Sequence, residues 1–123
     1  MSDPFSLPAF LAATLPWAWR DAIHEPFRDG VDISQIVTGE PIVTGEPAVA
    51  LLRYAPGAGV PKHLHRGLET ILVLEGTQSG ERGTCGTGAL VFNPEGSVHS
   101  VWSDTGCVVL IQWARRVEFV PPG

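Results

Sequence analysis

The chain has 123 residues, 44% of them apolar, which is the length of one domain with enough nonpolar side chains to bury a core. Its charged fraction is 17% and its net charge is −5, which excludes both the polar composition of a disordered chain and the basic footprint of a nucleic-acid binder. Its 14 Gly and 11 Pro, beside one Met and one Tyr, describe short elements joined by tight turns, an all-β composition in which helix is a minority.

Residues 1–30 differ from the rest. They carry Pro, Ala and aromatic side chains (Phe5, Phe10, Trp17, Trp19, Phe27) without period-2 alternation, and they read as an extension or arm preceding a folded domain over residues 31–123. Ser6 is a good N-cap, so one short helix through Ala13 is expected there. The apolar stretch from Leu7 to Trp19 is broken by Pro8 and Pro16 and lacks a basic flank. It fails as a signal peptide and is too short to span a bilayer, so no membrane partner and a cytoplasmic location are expected. Two cysteines, Cys85 and Cys107, are too few for a disulfide scaffold and agree with a reducing compartment.

From Val31 onward, short apolar runs alternate with Gly and Pro. Strands are expected over Val31 to Val37, Ala48 to Tyr54, Thr70 to Leu74, Ala89 to Phe92, His99 to Trp102, Cys107 to Ala114 and Val117 to Val120. Such spacing points to a β-sandwich or barrel. A tandem duplication, Val37-Thr-Gly-Glu-Pro-Ile42 and Val43-Thr-Gly-Glu-Pro-Ala48, has a period of six and reads as a lengthened loop or hairpin.

The segment from Gly57 carries the chemistry. His63 and His65 are one residue apart, so on a strand their imidazoles share a face; Glu69 follows beyond a turn at Gly67, and His99 begins a later strand after Asn93-Pro-Glu-Gly96. Three histidines and a carboxylate are borderline to hard donors suited to a divalent transition metal such as Fe, Zn, Mn or Ni. The absence of thiolate argues against a closed structural zinc site.

These positions resemble the two motifs of the cupins. The first, Gly-x5-His-x-His-x3-Glu-x6-Gly, matches Gly57, His63, His65, Glu69 and Gly76. The second, Gly-x5-Pro-x-Gly-x2-His-x3-Asn, matches Gly88, Pro94, Gly96 and His99 and departs at Ser103, so nine of ten fixed positions agree. Agreement of that kind has a chance on the order of 10⁻¹¹ or less at ordinary residue frequencies. The resemblance implies a single jelly-roll barrel (double-stranded β-helix, RmlC-like) of six to eight strands, with His63, His65, Glu69 and His99 holding one metal ion. More narrowly, Tyr54-Ala-Pro-Gly57, Val73-Leu-Glu-Gly76 and Thr105-Gly-Cys107 resemble the cupin lobe of ChrR-type anti-sigma factors and free-standing relatives that include acetylacetone-type dioxygenases.

That resemblance implies a small-molecule ligand or substrate and favours a homodimer. Two functions follow from it: a metal-dependent dioxygenase acting on a small oxygen-bearing molecule, or a non-enzymatic ligand- or redox-sensing module of ChrR type. Residues 1–30 offer His24 and no Cys, against the helical zinc domain of ChrR-type factors, so sigma-factor binding by this chain alone is not expected. His24 reads as a surface residue, Glu75 and Glu95 as solvated turn carboxylates, Cys107 as a small buried hydrophobe, and Arg115-Arg116 as a solvated edge. Trp102, Trp113, Tyr54, Phe92 and Gln112 are candidates for a pocket wall, with core packing expected for most of them.

Overall fold

The computed structural model describes residues 23–37, 48–115 and 117–121. Ten strands follow one another: β1 (Glu25–Arg28), β2 (Val31–Val37), β3 (Ala48–Tyr54), β4 (Gly59–Leu64), β5 (Glu69–Gly80), β6 (Gly83–Gly86), β7 (Leu90–Asn93), β8 (Val98–Trp102), β9 (Cys107–Trp113) and β10 (Glu118–Phe119). No helix occurs among the described residues, so none there is long and apolar enough to cross a membrane. The expected short helix at Ser6 to Ala13, the Trp17 and Trp19 arm, most of the tandem duplication and Arg116 lie outside the described residues.

Eight strands are joined edge to edge in the order β1-β2-β3-β9-β5-β8-β4-β10, with β6 and β7 paired to β5 off this path, and all pairings are antiparallel. This is the curled sheet of a jelly roll. Its corner is β5. Glu69 to Gly76 pair with β9 and β7, and Thr77 to Gly80 pair with β6 and β8, so one strand serves both halves of the barrel. The turn of the strand falls at a bulge between Val73 and Glu75 followed by Gly76, whose φ is 76°. A Cβ at Gly76 would run into the carbonyl oxygen of Gly106, so the last glycine of the first motif is there because two backbones touch.

Strand parity divides the side chains into an inner and an outer set. Val31, Ile33, Leu52, Tyr54, Val73 and Val109 are among those that meet inside the barrel. Leu51 and Leu74 are buried on the other side with Ile36, Leu72, Val108 and Leu110 against them. In register, Leu51 faces Leu110, and Leu110 faces Leu72, so a leucine row crosses three strands on the outer face.

Strands β2 and β3 coincide with their expected bounds, and β9 ends one residue early. Three strands lie outside the seven expected ranges, although the His63 and His65 spacing presupposes a strand where β4 stands. β1 carries Pro26, β4 carries Pro61, and β6 is Gly-Thr-Cys-Gly, which local propensity reads as a turn; each is a strand because pairing overrides that preference, in hairpins with β2 and β5 for β1 and β6 and with the distant β8 for β4. The sheet therefore begins at Glu25, inside the segment that composition sets apart.

Candidate metal centre

The site is assembled from three strands, β4, β5 and β8, and the turn that follows β4. His63 on β4 stands directly opposite His99 on β8, and a bulge between Val60 and His63 puts an extra residue into β4 just before the histidine. Pro61 occupies that bulge, where a missing N–H costs no ladder bond, and its carbonyl accepts a 2.7 Å hydrogen bond from His63 Nδ1. His65 follows the end of β4, and its Nδ1 donates toward the Ser97 carbonyl (3.0 Å) and Ser97 Oγ (2.9 Å) in the turn before β8. A carbonyl can only accept, so both rings carry their proton on Nδ1 and present an Nε2 lone pair inward. Glu69 opens β5 opposite Asn93 on β7 and Trp113 on β9; Asn93 Nδ2 donates 3.0 Å to its Oε1.

The four side chains converge. One ligand atom from each of His63, His65, Glu69 and His99 lies within 4.8 Å of the others. The imidazole centroids are 4.5–5.0 Å apart, tilted edge to face. His65 Nε2 is 3.3 Å from Glu69 Oε1, close to the ligand–ligand edge around an ion with bonds of about 2.1 Å. His63, His65 and Glu69 are 1–3% exposed. Nε2 of His65 and of His99 are buried with no hydrogen-bond partner. An unpartnered buried nitrogen costs about 1–3 kcal/mol, and a cation among these lone pairs removes that cost. The donor set, the tautomers and the orphan nitrogens all fit a divalent transition metal.

Burial pushes the imidazolium forms of His63 and His99 down; for His99, burial and the neighbouring His63 and His65 lower the pKa from 6.5 to about 4. The unfolded chain takes up this proton near pH 6.5 and the folded chain only near 4, so protons favour unfolding. The metal-free protein is therefore expected to be most stable above about pH 6.5 and to lose stability as the pH falls to about 4. Thermal melts of the apoprotein against a His99→Ala variant check this, the variant showing the weaker pH dependence.

Two residues that sequence reasoning did not single out hold the ligands in place. Asn93 orients the Glu69 carboxylate and Ser97 the His65 ring, the outer supports that metal ligands need. Asn93→Ala is expected to weaken metal binding by about 10–100-fold with the fold retained, as a competition titration with a chromophoric chelator would report. Ser103, in the place of the motif's Asn, is fully buried and donates a 2.6 Å hydrogen bond to the Thr77 carbonyl at the corner of β5.

Of the pocket candidates, Tyr54 and Trp113 are on the inner face. Tyr54 is 3% exposed, its phenol raised well above the usual range by burial, with Gln78 Nε2 at 3.5 Å from its hydroxyl. Trp113 packs against the inner cluster. Gln112 pairs with Thr70 on the outer face, and Phe92 and Trp102 are exposed rather than in the core, because their strand parity turns them outward. Glu75 and Glu95 are exposed, Cys107 is buried with its thiol pushed up by burial, and both cysteines are free.

A family model described as the ChrR cupin-like domain matches residues 16–115. Among similar solved structures is Rhodobacter sphaeroides SigE in complex with the anti-sigma ChrR, at 29% identity and a TM-score of 0.73 over 86% of this chain and 57% of that one. This chain thus spans a little over half the length of that relative. An acetylacetone dioxygenase of Acinetobacter johnsonii (13% identity, TM-score 0.73, 87% of this chain and 76% of that) and the polyketide cyclase RemF of Streptomyces resistomycificus (18%, 0.71, 89% and 87%) share the fold. No curated protein matches the sequence. With the match spanning both histidine motifs, the chain belongs to the ChrR cupin-like family of the cupin superfamily.

Proposed function

We propose that this chain is a metal-dependent enzyme of dioxygenase type, acting on a small oxygen-bearing organic molecule such as a 1,3-diketone, in the cytoplasm and as a homodimer. The observation that carries the reading is the pair of buried, partnerless Nε2 atoms facing Glu69 across one small space. His63, His65, Glu69 and His99 would hold the ion. A divalent transition metal there would supply Lewis-acid polarisation of a chelating oxygen and, in the case of iron, redox contact with dioxygen.

The chain's own residues account for the rest of the site. Apolar side chains from β3, β5 and β9 line the interior and exclude water, which strengthens each polar contact made there. Tyr54 is protonated at neutral pH, as a phenol ordinarily is, and burial moves it further from ionisation, so its hydroxyl is available as a donor to a bound oxygen atom. Gln78 Nε2 donates to the phenol oxygen at a long 3.5 Å, a contact in which the hydroxyl accepts and its own proton is not used.

The test is oxygen uptake by the Fe(II)-loaded protein with a panel of 1,3-diketones, with products identified by mass spectrometry. The reading expects oxygen and diketone consumed one for one. A ligand-dependent spectral change with no oxygen consumed would instead favour a sensing module, the reading that the similarity to the anti-sigma ChrR supports.

A further inference from the structure

Arg28 and Phe119 occupy the two open ends of the strand order, β1 and β10. Arg28 stands opposite Val31 in the ladder, and Val31 is a fully buried residue of the inner cluster, so Arg28 shares the inner face of the sheet. Phe119 stands opposite His63, on the histidine's face, with the two rings 6.2 Å apart. The Arg28 guanidinium carbon lies 5.2 Å from the Phe119 ring centroid. One ring therefore separates this cation from the histidine cluster, across the seam where the barrel's first and last strands meet. A second aromatic pair, Phe27 and Trp113 at 6.5 Å, flanks the seam, and Trp113 is the ladder partner of Glu69.

The charge is half-buried. Arg53 is paired with Asp32, and Arg66 with Glu118, both on the surface. Arg28 has no carboxylate partner among the described residues, and its charge reaches inward as far as the buried Tyr54 phenol, which also feels Glu69. In a chain of net charge −5, such a cation supplies an attraction for anions that the rest of the molecule opposes.

We infer that Arg28 is a specificity-determining residue: it receives a carboxylate at one end of a substrate whose other end offers the oxygens that chelate at His63, His65, Glu69 and His99. The substrate class is then a small oxo-acid in which the carboxylate stands a few bonds away from a dicarbonyl or equivalent chelating group. The inference rests on the metal-centre reading above and deepens it. Guanidinium suits this task because its planar N–H groups can grip both carboxylate oxygens while its face rests on Phe119.

The experiment compares two ligands of equal length, 4,6-dioxoheptanoate and 2,4-heptanedione, which differ by a carboxylate in place of a methyl group. Binding to the Fe(II)-loaded full chain is followed by calorimetry without oxygen, and iron content is measured on the same samples. Wild type is expected to bind the acid at least about tenfold more tightly, and Arg28→Gln to bring the ratio close to one while its affinity for the neutral diketone stays unchanged. A merely structural contact between Arg28 and Phe119 would weaken both ligands alike. A wild-type ratio near one, or a ratio unchanged in Arg28→Gln with iron retained, overturns the inference. A wild-type ratio near one overturns it even if the variant does not fold, and Arg28→Lys then replaces Arg28→Gln, with a partial loss of the ratio expected. Wild-type protein that holds no iron overturns the metal reading itself, and the inference with it.

Discussion

His99→Ala is expected to weaken metal binding by on the order of 10²–10³-fold while leaving the metal-free barrel at least as stable as wild type. The first half follows from sharing the free energy of a four-ligand site, about 10–16 kcal/mol for zinc, among its donors. The second half follows from the environment. His99 is only half-buried, is crowded by two other imidazoles at 4.5–4.7 Å, and leaves its Nε2 without a partner in the apoprotein. Its removal takes away a ligand and also an unsatisfied polar group. Chelator competition gives the affinity, and thermal melts of the two apoproteins give the stability. A variant that binds metal as wild type does would remove His99 from the ligand set.

Gly76→Ala should have the largest effect on the fold itself. The residue sits at φ 76°, and its Cβ would meet the Gly106 carbonyl and the Cys107 backbone, neither of which can swing aside as a side chain would. The loss is expected to be about 3 kcal/mol or more, on the order of 15 °C in melting temperature for a domain of this size. Denaturant titration of the apoprotein measures it. Because β5 carries Glu69 at its start and the corner at Gly76, the same variant should also bind metal less tightly.

The ligand set was legible in the sequence because its spacing is itself geometry. A His-x-His pair on a strand shares one face, and the Gly and Pro residues around His99 mark the turn that returns it opposite His63. The supports were not legible. Asn93 is 24 residues from Glu69 and Ser97 is 32 from His65, and only the register of the folded sheet brings each pair together. The same holds for Arg28 and Phe119, which belong to the two ends of the strand order and lie far apart in the sequence. Parity explains the aromatic residues. Composition marks Phe92 and Trp102 as core material, but a side chain's face depends on the pairing of its strand, and both point outward.

The extra strands have a similar origin. Gly-Thr-Cys-Gly, with a glycine at each end, reads locally as a turn, yet Gly83 to Gly86 pair residue for residue with the end of β5 once that strand has turned its corner. Pro61 is tolerated because it falls in a bulge, and the same bulge delivers its carbonyl to His63. An irregularity that a pattern search reads as a break is thus what fixes the tautomer of a ligand.

The most direct test of the account is elemental analysis by mass spectrometry of protein purified without a metal-carrying tag, wild type beside His63→Ala/His65→Ala. The account predicts close to one transition-metal ion per chain in wild type and a loss of nearly all of it in the double variant. Wild-type protein with no more metal than the variant, even after reconstitution, would contradict it.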